Sequence, residues 1–172
     1  MVKFIIENCE GKLSQWSFIE YKSASRYVGK ENIIFSNITK RDADKLKKFG
    51  KVKVRSVKEL DIEKEKVIIL DPESKIELKT EDFKKYDYFI FGGILGDYPR
   101  KKRTEEFLTS KLNFQTRNLG IGHLSTDNAL LTAKLIMDGK KLREIEFQEE
   151  LNIDIDTKGE IKEVITLPFL IQ

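Results

Sequence analysis

Histidine and cysteine are almost missing from this 172-residue chain, which has only His123 and Cys9. With one of each, no intramolecular disulfide can form and no multi-histidine or cysteine-rich metal centre can be assembled. A nucleophile–histidine–acid triad would have to pass through His123 alone. Proton transfer therefore falls to Asp, Glu, Tyr, Lys or the substrate itself, and no metal site is expected. Proline (3) and tryptophan (1) are also scarce, and no apolar stretch approaches the ~20 residues that cross a bilayer. The apolar start, Val2 to Ile6, is broken by Lys3 and Glu7 and lacks a small-residue cleavage site. Neither export nor membrane insertion is expected, and a reducing cytoplasm suits the chain best. A surplus of one charge is missing too, since 32 basic and 29 acidic side chains leave +3. Any basic surface must be local. The remaining balance, 35% charged and 40% hydrophobic, describes a globular protein, expected as a single domain over residues 1–172.

Strand and helix signals alternate along the chain. Val2 to Ile6 predicts a strand, and Ser14 opens a helix to Val28 in which Trp16, Ile19, Ala24 and Tyr27 recur at near-helical spacing, with Trp16 expected in the core. Asn32 to Asn37 predicts a buried strand, Thr39 caps a helix running to Phe49 with Gly50 as its stop, and Lys51 to Arg55 reads as an edge strand. Lys66 to Leu70 and Tyr88 to Phe91 are buried strands on either side of a short helix capped by Thr80. Helices are expected over Arg103 to Leu112 and Thr126 to Met137. Glu144 to Gln172 alternates about a turn at Asp156-Thr157-Lys158-Gly159, the pattern of an antiparallel hairpin. Together these predict an α/β fold, a mostly parallel sheet flanked by helices, with a terminal antiparallel hairpin.

In such sheets ligands gather outside the carboxyl ends of the strands. Three segments qualify: Leu70-Asp71-Pro72, Gly92-Gly93-Ile94-Leu95-Gly96-Asp97, and Leu119-Gly120-Ile121-Gly122-His123-Leu124-Ser125-Thr126. Glycine lets backbone approach a ligand closely, so these loops can grip an adenosine with main-chain groups; equally, Gly92, Gly93 and Gly96 can simply make a tight strand exit. Neither glycine loop has Walker or dinucleotide spacing, which argues against kinases, GTPases and ordinary nucleotide dehydrogenases. Arg100-Lys101-Lys102-Arg103, with Arg117, forms the best basic patch, either a docking place for a phosphate-rich or acidic macromolecule or a solvated surface. Asp97 can hold a guanidinium or ribose hydroxyl, or pair with Arg103. Ser125 and Thr126 are candidate helix caps, with Asp127 favoured by the helix dipole.

Taken together, Leu70-Asp71-Pro72, Tyr88-Phe89-Ile90-Phe91-Gly92-Gly93-Ile94-Leu95-Gly96-Asp97, Arg103-Thr104, Asn118-Leu119-Gly120 and Ser125-Thr126-Asp127-Asn128-Ala129 resemble the SPOUT superfamily of S-adenosylmethionine methyltransferases. The likeness is narrower to an archaeal and eukaryotic branch labelled predicted RNA methyltransferases, which includes an enzyme that methylates an arginine of a ribosomal protein. It extends to Trp16, Glu20-Tyr21 and Pro168-Phe169, although the tail Leu170-Ile171-Gln172 departs from the branch's pattern. The resemblance implies a C-terminal trefoil knot and S-adenosyl-L-methionine as cofactor. It places cofactor contacts at Leu70, Asp71, Pro72, Gly92, Gly93, Gly96, Leu119, Gly120, His123, Leu124, Ser125 and Thr126. Asp97, Arg103 and Asp127 become the candidate catalytic residues, orienting a guanidinium and taking its proton, or holding an RNA phosphate. The substrate implied is RNA or a ribosomal-protein arginine; the alternative is an inactive cofactor- or RNA-binding module of the translation machinery. A homodimer paired through the knot is admitted alongside a monomer. Valine at Gly93 is expected to abolish cofactor binding without unfolding the chain.

Overall fold

Strands apolar on both sides must be covered on both faces, and that requirement organises the molecule. The computed structural model describes residues 1–95, 102–120, 124–148 and 169–170. Six strands, β1 (Lys3–Asn8), β2 (Ile33–Ser36), β3 (Lys51–Val52), β4 (Val67–Leu70), β5 (Tyr88–Gly93) and β6 (Gln115–Arg117), form a parallel sheet in the order β3-β2-β1-β5-β4-β6. The helices are α1 (Gln15–Val28), α2 (Lys40–Leu46), α3 (Asp82–Lys85) and α4 (Thr126–Met137), with a π-helical turn at Glu105–Thr109. Phe4, Ile6, Ile68, Phe89 and Phe91 point to the face that packs on Tyr21, Ala24 and Val28 of α1 and on Leu130, Ala133 and Ile136 of α4. Ile5, Val67, Ile69 and Ile90 point the other way, under Val57, Leu108 and Leu112. Each such buried side chain contributes roughly 1.5–3 kcal/mol of transfer free energy.

Several boundaries differ from the sequence expectation for identifiable reasons. β1 continues through Glu7 and Asn8 because their polar groups are satisfied: the Glu7 carboxylate accepts hydrogen bonds from Ser36 Oγ (2.6 Å), Ser56 Oγ (2.5 Å) and the Val57 amide (3.1 Å). Gly92 and Gly93 are not a loop exit; they are the last residues of β5, paired with Glu7 and Asn8. Trp16 is 47% exposed rather than in the core. The buried stripe of α1 is Ser17, Glu20, Tyr21, Ala24, Ser25 and Val28, so Trp16 and Ile19 fall on its flank.

α2 ends at Leu46, and Gly50 serves instead as a close approach to β2, where a Cβ would lie 2.9 Å from Ile33 O. Thr80 does not cap α3; its hydroxyl donates to Ile136 O at the far end of α4 (2.8 Å). β6 carries only Gln-Thr-Arg, too short and polar to announce itself. β7 (Phe147–Gln148) pairs antiparallel with β8 (Phe169–Leu170), and the turn expected at 156–159 lies outside the described residues.

Candidate active site

The carboxyl ends of β4, β5 and β6 open onto one cleft of about 460 Å³, counted out to its mouth. Leu70, Asp71 and Pro72 enter it from β4, Phe91 and Gly92 from β5, Leu119 from the segment after β6, and Leu124, Thr126 and Ala129 from the start of α4. Thr104 closes the opposite wall. Seven of the twelve residues chosen for cofactor contact thus meet at one place: Leu70, Asp71, Pro72, Gly92, Leu119, Leu124 and Thr126. Gly96, His123 and the catalytic candidate Asp97 lie outside the described residues. Thr104, Phe91 and Ala129 also line it; the motifs quoted above contain all three, but sequence reasoning gave them no cofactor contact.

The lining is rigid for local reasons. Asp71 turns the chain after β4: its amide donates to Arg117 O (2.9 Å), Oδ1 accepts from the Glu73 amide (3.0 Å), and Oδ2 accepts from Thr109 Oγ1 (2.6 Å). Its carboxylate therefore fastens the loop to the π-helical turn. Gly120 adopts φ 76°, and a Cβ there would sit 2.6 Å from Leu142 Cδ2, so it serves the turn while neighbouring Leu119 meets the cleft. Gly93 is likewise directed away, toward Tyr21 of α1. Ser125 caps α4 by backbone position, and its hydroxyl donates to Asp127 Oδ1 (2.7 Å) instead of accepting a backbone amide.

The catalytic candidates are held more tightly than the sequence suggests. Arg103 Nη1 meets Glu10 Oε1 (3.0 Å) and donates to Leu95 O (3.2 Å), while the Leu95 amide donates to the same Glu10 oxygen (3.0 Å). Glu10 thus clamps the exit of β5 to the segment that brings Thr104 to the cleft. Arg117 does not join a basic patch: it is buried and forms a two-point pair with Asp82, at 3.1 Å through Nε and 2.9 Å through Nη2. Lys102 pairs with Glu73 at 2.7 Å. Cys9 is half-buried, and burial first, then Glu7, pushes its thiol up to about 12, so it is inert as a nucleophile.

Sequence reasoning assigned no role to the carboxylate beside Thr126. Glu20 is 7% exposed, and its oxygens accept from Trp16 Nε1 (2.7 Å) and the Thr126 amide (3.3 Å). Burial, with the charge of Asp127 adding, lifts it to about 7. The available signal was the spacing of Trp16 and Glu20, four apart on one helix face.

The walls of the cleft are largely apolar, its polar groups are Asp71, the hydroxyls of Thr104 and Thr126 and loop backbone, and no lysine or arginine lines it among the described residues. At Gly92 a Cβ would fall 2.8 Å from Ile94 Cδ1 and 3.6 Å from Thr104 Oγ1, so the bare α-carbon keeps that wall open. Residues 3–171 match the family described as protein arginine N-methyltransferase SFM1-like. The chain belongs to that family. The reading as an S-adenosylmethionine-dependent methyltransferase agrees with this membership. SFM1 of Saccharomyces cerevisiae is 38% identical over 151 residues, 79% of this SFM1-like chain and 71% of the yeast protein. Crystal structures of yeast SFM1 complexed with SAM and with SAH align with TM-scores of 0.85 and 0.84, at 33% and 31% identity, covering 99% of this chain and 83% and 87% of theirs. The dual-specific Trm10 of Thermococcus kodakaraensis shares the fold, with a TM-score of 0.64, 19% identity and coverage of 84% and 96%.

Proposed function

We propose that this SFM1-like chain binds S-adenosylmethionine in the strand-end cleft and methylates an arginine side chain of a protein. The observation that carries the reading is the cleft itself, apolar, glycine-backed and free of basic lining residues among those described. Leu70, Phe91, Leu119, Leu124 and Ala129 would enclose the adenine and ribose, and Thr104, Thr126 and the loop backbone would supply hydrogen bonds. When bound, the cofactor provides an electrophilic methyl group. The protein's task is then to exclude water, orient the nucleophile and receive one proton. Asp127 and Arg103, each next in sequence to a cleft residue, Thr126 and Thr104, are the side chains we assign to substrate contact, and Asp97 completes the proposed set.

A protein arginine is favoured over RNA because, among the described residues, the cations of the expected basic patch have acidic partners: Lys102 with Glu73, Arg103 with Glu10 and Arg117 with Asp82. A ribosomal protein in the cytoplasm is the substrate we infer, and family membership disfavours an inactive module. The knot belongs to the same reading. It is supported by the way the loop after β4 grips the end of β6, with the Leu78 amide on Asn118 O (2.9 Å), the Asn118 amide on Ile76 O (2.8 Å) and Asn118 Nδ2 on Ser74 O (2.7 Å). The described residues contain no helix long and apolar enough to cross a membrane. The test is to incubate the protein with undermodified ribosomes and methyl-labelled cofactor. Label that survives nuclease and is released by protease is expected; label lost to nuclease would refute the protein substrate.

A further inference from the structure

Charge is nearly balanced over the whole chain, but not along it. Residues 22–58 carry 12 basic and 3 acidic side chains, a net of +9, while the rest of the chain carries 20 and 26, a net of −6. Two of the three acids in that stretch are taken up by its own lysines, Asp42 by Lys45 (2.7 Å) and Asp44 by Lys47 (2.5 Å). Lys22, Arg26, Lys48, Lys51, Lys53 and Arg55 form no ion pair among the described residues. By contrast, Lys102, Arg103, Arg117 and Lys134 each meet a carboxylate. Cations left without acids, in a chain with acids to spare elsewhere, are the footprint of a polyanion that comes from outside.

The fold gathers these cations on one edge of the molecule. β3 is the terminal strand of the sheet, and the residues after it stay along β2 through the Lys53 amide on Phe35 O (2.8 Å), the Ile38 amide on Lys53 O (3.2 Å) and the Asn37 amide on Arg55 O (3.0 Å). α1 reaches the same edge: Ser25 Oγ donates to Phe49 O, and the rings of Phe18 and Phe49 meet edge-on with centroids 5.8 Å apart. Lys22 and Arg26 follow Phe18 at intervals of four, on the same side of the helix. Lys48 lies over the Phe49 ring, 5.1 Å from its centroid. Arg26, Lys48, Lys51 and Arg55 are exposed, and Lys22 and Lys53 are half-buried. Lysines on an edge strand also deter pairing with another sheet. That accounts for Lys51 and Lys53, but not for the cations of α1 and of the turn before β3.

We propose that this edge binds the phosphate backbone of RNA and so docks the enzyme beside its target arginine. The inference rests on the reading of a ribosomal protein as substrate, because such a target is held within RNA. The chemistry favours phosphates over a protein partner or a membrane. Both of those need a continuous apolar surface, and within residues 22–58 only Val54 is large, apolar and exposed. Lysines predominate, and lysine meets phosphate as a point charge without reading sequence. The edge is also separate from the site of methyl transfer. β3 stands three strands from β5 and four from β4, about 14–19 Å at the usual strand spacing. RNA held there leaves the cleft open to a protein side chain.

The probe is a fluorescein-labelled oligouridine of about 20 nucleotides, titrated with the full-length protein and followed by anisotropy from about 50 to 200 mM KCl. Saturable binding is expected, with log K falling linearly against log salt at a slope of about −4, as six contacts to a single strand at about −0.7 each require. Combining Lys22→Gln, Lys48→Gln, Lys51→Gln and Lys53→Gln should shrink that slope by about 3 and weaken binding about 100-fold or more at about 100 mM salt. A control combining Lys64→Gln, Lys66→Gln, Lys84→Gln and Lys140→Gln, all exposed and outside the edge, should stay within about 3-fold of the parent. Lys48→Gln and Lys51→Gln taken singly should each lower the slope by about 0.7, which keeps the test independent of how the combined variant folds. On undermodified ribosomes at limiting concentration the combined variant should transfer label about 10-fold more slowly, and at the parent's rate on ribosomal protein stripped of RNA. An unchanged slope, an equal loss in the control, or polyglutamate or phosphatidylserine vesicles binding as tightly as the RNA would overturn the RNA surface. Label found on RNA in place of protein would overturn the substrate reading and leave the RNA surface standing.

Discussion

Gly93 and Tyr21 touch across the interface between β5 and α1: a Cβ built on Gly93 would lie 2.9 Å from Tyr21 Cζ and 3.0 Å from Glu7 O. Tyr21 is fully buried and its hydroxyl donates to Asn8 Oδ1 (3.2 Å), so it cannot retreat without breaking that bond. The expectation that bulk at Gly93 blocks the cofactor without unfolding the protein is therefore corrected. Gly93→Ala should destabilise by roughly 1–3 kcal/mol through overpacking, a loss of about 2–4 °C in melting temperature per kcal/mol. Gly92→Val is the variant that should remove S-adenosylhomocysteine binding, because its side chain enters between Ile94 and Thr104, both free to shift slightly. Calorimetry and thermal unfolding on both variants check this, and a stable Gly93→Ala would show that Tyr21 gives way.

Asp82 and Arg117 form a second buried relationship, although the sequence reading put Arg117 in a basic patch. Asp82 also accepts the Lys79 amide (3.0 Å) at the start of α3, so one carboxylate joins that helix to β6. Asp82→Ala leaves a buried guanidinium without its partner and should cost about 3–5 kcal/mol. Urea unfolding should show a lower midpoint at unchanged slope. Replacing both residues with apolar ones of similar volume should recover much of the loss, and a single variant as stable as the parent would show that the pair is weak.

The sheet was legible because Val67-Ile68-Ile69-Leu70 and Tyr88-Phe89-Ile90-Phe91 are apolar on both sides, a pattern with few other readings. Strand-end logic then located the cleft, since the rule concerns where backbone ends converge and not which side chains line it. What stayed hidden was orientation. Adjacent glycines in a strand face opposite sides, so Gly92 and Gly93 look equivalent in sequence and are not. The same holds for α1, where Trp16 and Ile19 are large and apolar and still lie on the flank, because Tyr21 and Ala24 set the face that meets the sheet. Partner choice was equally invisible: nothing in the sequence distinguishes Arg117, paired within the core, from Lys102 at the surface, because pairing over 35 residues needs the fold.

Glu10 and Arg103 invite a kinetic test. Glu10 Oε1 is shared by the Leu95 amide and Arg103 Nη1, so its removal frees the exit of β5 from the segment carrying Thr104. Glu10→Ala should lower kcat by roughly 10–100-fold through misplacement, with a melting temperature close to that of the parent because the pair is partly solvated. Glu10→Gln, which still accepts the Leu95 amide, should recover part of the rate. Loss of folding in place of loss of rate would make the clamp a stability element only.

The protonation of Glu20 sets a pH dependence whose sign is fixed. Its folded-state value of about 7 lies above its ordinary 4.5, so between those values the folded protein holds a proton that the unfolded chain has released. Stability from this group is therefore full below about 4.5 and declines as pH rises to about 7, by on the order of 3 kcal/mol at most. Glu20→Gln cannot ionise and escapes the decline. The stability of the parent minus that of Glu20→Gln should fall between pH 5 and pH 8 in urea titrations, and a flat difference would mean that Glu20 is ionised throughout.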